Sequence, residues 1–143
     1  MGLGLPQDAP SGDLDTVEDI EEMVTRFYRV VAQDDLLGPM YNQVARVDWS
    51  VHVPKLASFW FQALLGIDGF EGNLSRAHER VNELSPYTPA HFERWLELFH
   101  ETVEEGWVGP RADRALRLAE HVAEAQQRRL AAATAAAEPV LVA

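Results

Sequence analysis

The 143-residue chain has no cysteine, which excludes disulfides, thiolate metal sites and cysteine nucleophiles. Basic residues are scarce. Twelve lysines and arginines stand against 23 aspartates and glutamates, for a formal net charge of −11 and an isoelectric point near 4.7. A phosphate-binding surface should be basic, so no nucleic-acid partner is expected. Beyond that, acidity says only that the protein repels polyanions. No apolar run approaches the roughly 20 residues of a spanning helix, and the mean hydropathy of −0.19 agrees; no membrane partner is expected. Residues 1–10 have neither a basic region nor an apolar stretch of signal-peptide length, which makes a cytoplasmic location the default expectation. Also missing are a glycine-rich phosphate loop, a G-x-S-x-G turn and an H-E-x-x-H motif.

What is present reads as one helical domain. A mass of 16.0 kDa with 47% hydrophobic residues suits a single domain with a sizeable core. Residues 1–14 carry Gly, Pro and Asp without periodicity and are expected to lack order. Thr16 and Asp19 form a helix-starting cap. Val17, Ile20, Val24, Phe27 and Val31 then recur on one helical face, with Tyr28 beside that stripe. Leu37-Gly38-Pro39 ends the segment, and Met40-Tyr41 begins a short connecting turn. Asp48 is an N-cap for a second helix, and Gly66 is its stop. Leu56, Phe59, Trp60 and Ala63 share a face there. Pro54 disturbs this helix, because an internal proline removes a hydrogen bond; either the first turn is irregular or the helix begins near Pro54.

Further along, Gly69, Gly72 and Asn73 mark a loop before a third helix over roughly 74–84, whose inward stripe includes Leu74, Ala77, His78 and Val81. Thr88-Pro89 starts a fourth helix with Phe92, Trp95, Leu96, Phe99 and Val103 inward. That helix breaks at Gly106 and Gly109-Pro110. A last helix spans about 111–132, with Ala115, Leu118, Ala119, Val122 and Leu130 as contact residues, and residues 133–143 form an alanine-rich tail expected to fray. No segment alternates as a strand does, so the fold class is all-α.

Three aromatic patches stand out: Phe27-Tyr28, Trp49 through Gly66, and Phe92 through Phe99, with His78 between the last two. The other histidines are His52, His91, His100 and His121, of which the last three are expected at the surface. A di-iron bundle wants two E-x-x-H motifs, and only Glu97 to His100 fits. On its own, a histidine on an apolar stripe is more often a core residue than a ligand. In this spacing the patches suggest a pocket for a flat, iron-bearing ligand.

The ordered string F-Y, L-G-P-M-Y, D-W-x-x-H, F-W-F-Q-A-L-L-G, F-x-G-N, His78 and R-W-L-x-L-F resembles a truncated haemoglobin, and is most similar to the third group of that family. The match covers about residues 15–130, within a single globin domain over 15–132. The resemblance implies a globin-like, two-over-two helical sandwich around haem b. It puts His78 in the place of the proximal ligand, whose imidazole nitrogen bonds the iron. Tyr28, His52 and Trp95 match the polar groups of the distal side, and Phe27, Tyr41, Leu56, Phe59, Trp60 and Phe92 become candidate pocket walls. Lys55 and Arg76 are candidate partners for the haem propionates, with surface solvation the competing reading. Tyr41 stands where phenylalanine is common in the family, and the stretch between His78 and Trp95 is longer than the family pattern.

The implied function is a haem protein binding dioxygen, nitric oxide or another small diatomic ligand, with peroxide as a further candidate and a reductase as a candidate partner. Several donors around a partly negative ligand contribute about 1 kcal/mol each, and 1.4 kcal/mol is tenfold in rate. Slow release suits a redox or detoxifying role better than transport. Two alternatives stay open: a peroxidase-like or nitric-oxide dioxygenase enzyme, and a haem-free helical sensor or interaction domain.

Overall fold

The computed structural model describes residues 12–69 and 87–137, with side chains as far as residue 132. Four helices account for most of them: α1 (Val17–Gln33), α2 (Trp49–Leu65), α3 (Pro89–Gly106) and α4 (Pro110–Ala137). A π-helical turn, Met40–Val44, lies between α1 and α2. Among the described residues there is no strand. The expected helix over 74–84, including His78, lies outside the described residues.

Local chemistry sets the helix starts. The Asp19 N–H donates to Thr16 Oγ1 at 3.1 Å, and the Thr16 hydroxyl donates back to the Asp19 carboxylate. Asp48 accepts from the Ser50 N–H at 3.0 Å. At α3, Thr88 and His91 form a reciprocal capping box, with the Thr88 N–H donating to His91 Nδ1 at 2.8 Å. These side chains satisfy N–H groups that have no partner inside the helix. Gly66 ends α2 in the left-handed conformation, at φ 70°.

Pro54 does not break α2. The helix runs regularly from Trp49, and the His52 N–H already donates to Asp48 O at 2.8 Å. Only the one bond that a Pro54 N–H would have made is missing. α1 ends at Gln33, earlier than the Leu37-Gly38-Pro39 signal suggests. There the Asp34 carboxylate accepts from the Leu36 and Leu37 N–H groups and pairs with Arg94 of α3 at 2.7 Å.

α1 packs on α2 and on α3, and α3 packs on α4, so two helix pairs lie one over the other. This is the two-over-two sandwich expected. Its centre is aromatic. Phe99 and Phe27 are fully buried, and Phe99 stacks between Trp60 (5.2 Å, 17°) and Trp95 (5.6 Å, 5°). Phe27 meets Phe99 and Trp95 edge-on. Offset-stacked and edge-on pairs of this kind add to the stabilisation from burial.

One expectation needs correcting. Order begins before residue 15: Leu14 is fully buried, and the Asp13 carboxylate accepts from the backbone N–H groups of Arg111 and Ala112 at the start of α4, at 2.8 and 2.6 Å. A carboxylate there satisfies free donors and meets the positive end of the helix dipole. Gly109 makes room for it. Its φ is 142°, and a Cβ at that position would lie 2.6 Å from the Asp13 carboxyl carbon.

Candidate functional site

Between the two layers lies a cavity of about 890 Å³. α2 supplies one wall, because His52, Leu56, Phe59 and Trp60 fall on a single helical stripe. α1 supplies Tyr28, and the π-helical turn supplies Met40, Tyr41 and Val44. The start of α3 adds Tyr87, His91, Phe92 and Trp95, and α4 adds Val122, Ala123 and Gln126. The volume falls within the range of about 300–1,000 Å³ usual for small-molecule sites.

Phe27 is not part of this lining. It is 1% exposed and sits a layer behind, against Tyr28, Trp95 and Phe99. Consecutive helical side chains point about 100° apart. When Tyr28 faces the cavity, Phe27 therefore faces the core. The other expected walls, Tyr41, Leu56, Phe59, Trp60 and Phe92, do line the cavity.

The polar groups gather at one pole. Tyr28, Tyr41, Trp49 and His52 form a cluster in which Tyr41 stacks on Trp49 (5.7 Å, 28°). The His52 imidazole stands edge-on to Tyr28, Tyr41 and Trp49 at 5.6–5.9 Å. Trp49 is held in turn: its indole N–H donates to Asn42 Oδ1, and Asn42 Nδ2 donates to Ala32 O, both at 2.9 Å. His52 thus faces the cavity, and Pro54 has not turned it away.

Burial raises the Tyr28 pKa well above the ordinary phenol value, and the facing Trp95 indole N–H works in the opposite direction. Tyr41 is raised as well, first by burial, then by the neighbouring phenols Tyr28 and Tyr87, again opposed by Trp95. Burial pushes Tyr87 up to about 12. All three phenols therefore keep their protons at neutral pH and remain donors. Burial also lowers the His91 pKa. The cavity thus pairs apolar walls with several O–H and N–H donors. Such a site can hold a flat apolar ligand and stabilise negative charge developing on a small molecule beside it.

The crystal structure of a group III truncated haemoglobin from Campylobacter jejuni superposes with a TM-score of 0.71 at 30% sequence identity, covering 80% of this chain and 91% of that one. The curated group 3 truncated haemoglobin Ctb of Campylobacter jejuni is 33% identical over 89 residues, which is 60% of this chain and 68% of the relative. The chain belongs to the group III truncated haemoglobins. It is a globin-type haem-binding protein. No family model matches it.

As a truncated haemoglobin, it carries features that the sequence reading passed over. Tyr87 and His91 both line the cavity, although His91 was expected at the surface. A local signal existed for both: Tyr87 precedes the Thr88 cap and packs on Phe92 at 5.6 Å, the hydrophobic-staple spacing, while His91 completes the capping box. Arg46, on the segment leading into α2, also lines the cavity. Lys55 is exposed and does not. Arg76 lies outside the described residues, as does His78. His100 turns away to meet Glu120 on α4 at 3.1 Å, and His121 is exposed. Among the described residues no group of three or more His, Asp or Glu could hold a metal. Among them, too, no helix is long and apolar enough to cross a membrane.

Proposed function

We propose that this globin binds dioxygen or a similar small diatomic molecule at haem b, held by His78, in a redox or detoxifying role rather than in oxygen transport. The observation that carries the reading is the meeting of Tyr28, Tyr41, His52 and Trp95 at one pole of a cavity with apolar walls. A bound haem would supply an iron able to bind a diatomic gas and to take part in redox chemistry.

The chain's own residues do the rest. Leu56, Phe59, Trp60 and Phe92 present flat apolar surface to a ring system. Tyr28 and Tyr41 offer O–H donors that burial keeps protonated. Trp95 adds an N–H, and His52 adds an imidazole whose donor nitrogen depends on its tautomer. Each hydrogen bond to a partly negative ligand contributes about 1 kcal/mol or more. Two or three acting together slow ligand release by orders of magnitude. Retention of that kind favours consumption of nitric oxide, or reaction with peroxide with a reductase as electron source, over delivery of oxygen.

The test is spectroscopic. The purified protein should show a Soret band, and His78→Ala should lose it while keeping its helical circular dichroism. A wild-type protein with no Soret band after haem addition would refute the reading.

A further inference from the structure

The chain carries 23 aspartates and glutamates, yet none of them is among the described residues that line the cavity. Among the described lining residues Arg46 is the single lysine or arginine. Among the described residues its guanidinium has neither a hydrogen bond nor an ion pair, whereas Arg26, Arg94, Arg111 and Arg128 are each tied to a carboxylate. In so acidic a chain, described lining residues that bring one unpaired guanidinium and no carboxylate suit an anionic group.

The backbone of Arg46 is unusual as well. Its φ of 52° is the only positive value at a non-glycine position among the described residues. A left-handed arginine is strained by about 1 kcal/mol or more, and such conformations persist only where neighbouring contacts enforce them. Here the Ala45 N–H donates to Met40 O at 2.8 Å and the Val47 N–H to Tyr41 O at 3.0 Å, so both flanks of Arg46 are pinned to the π-helical turn. Glycine would fit this position without strain. Arginine holds it instead, exposed and on the cavity lining.

We propose that Arg46 anchors the acidic edge of the cavity's ligand by pairing its guanidinium with a ligand carboxylate. For the haem reading, on which this rests, that carboxylate is a propionate. The planar fork of arginine suits a carboxylate, donating two parallel N–H bonds to its two oxygens. Lys55, the sequence-based candidate on α2, does not line the cavity.

The test compares haem with haem dimethyl ester, in which both carboxylates are masked. Loss of each porphyrin to excess apomyoglobin is followed in the wild type, Arg46→Gly and Arg46→Lys, together with urea unfolding of each apoprotein. The wild type should retain haem about fivefold longer than the diester, the size of a partly exposed ion pair, and added salt should narrow that difference. Arg46→Gly should remove most of the difference while its apoprotein unfolds at the same or a higher urea concentration, because the backbone strain is relieved. Arg46→Lys should keep part of the difference, and this variant decides the matter if the glycine variant folds poorly. If Arg46→Gly and Arg46→Lys both retain haem over the diester as well as the wild type does, Arg46 is not the anchor, although the haem reading stands. A wild type that takes up neither porphyrin overturns the haem reading and this inference with it.

Discussion

Replacing Trp95 with phenylalanine separates packing from hydrogen bonding in the cavity. The Trp95 ring stacks on Phe99 at 5.6 Å and 5°, and meets Phe27 edge-on at 5.4 Å. A phenylalanine keeps an aromatic face in that slot, and the loss of ring area should cost about 1 kcal/mol of stability. The indole N–H is lost outright, and it is the one group that opposes the raised pKa of both Tyr28 and Tyr41. A donor to a charged or partly charged acceptor contributes about 1.5 kcal/mol, or roughly tenfold in an off-rate. Dioxygen dissociation, followed by stopped-flow displacement with carbon monoxide, should therefore be about tenfold faster in Trp95→Phe. Because the same N–H faces both phenols, the substitution should do less in a Tyr28→Phe background than in the wild type, a non-additivity expected of groups in one network. A Trp95→Phe protein with an intact near-ultraviolet spectrum and an unchanged dissociation rate would refute the donor arrangement.

Two further predictions concern stability. Burial alone would raise the Asp34 pKa, but the Leu37 N–H, the Arg94 guanidinium and the Leu36 N–H outweigh it and hold the carboxyl below its usual 3.8. A depressed carboxyl stabilises the fold above the unfolded-state pKa, and that contribution is lost as pH falls through the folded-state value. Asp34→Asn should therefore unfold at lower urea than the wild type at pH 7, with the gap closing below about pH 4; a gap independent of pH would contradict the ion pair. Gly109→Ala should lose about 2 kcal/mol in urea unfolding, since alanine is strained at positive φ and its Cβ would strike the Asp13 carboxyl; a stability equal to wild type would show that the Asp13 clasp yields easily.

The helix ends were legible because their chemistry is local: the caps at Thr16 and Thr88 close over three residues, and that at Asp48 over two. The N-terminal clasp was not, because Asp13 meets Arg111 and Ala112 nearly a hundred residues away; a stretch of Gly, Pro and Asp reads locally as unstructured. The Asp34–Arg94 pair, 60 residues apart, was hidden for the same reason. A subtler confusion lies in the apolar stripes. A cavity walled by hydrophobic rings leaves the same helical periodicity as a close-packed core, so Phe92, Trp95, Phe99 and Val103 read as one inward face of α3. In the folded chain that face divides: Phe99 and Val103 are fully buried, with Leu98 and Thr102 beside them, while Phe92 and Trp95 are only partly buried and line the cavity. The adjacent pair Phe27 and Tyr28 on α1 divides too, since both are buried but only Tyr28 lines the cavity. Periodicity locates the inside of a helix; only the positions of the other helices decide which part of that inside is filled by neighbours and which is left for a ligand.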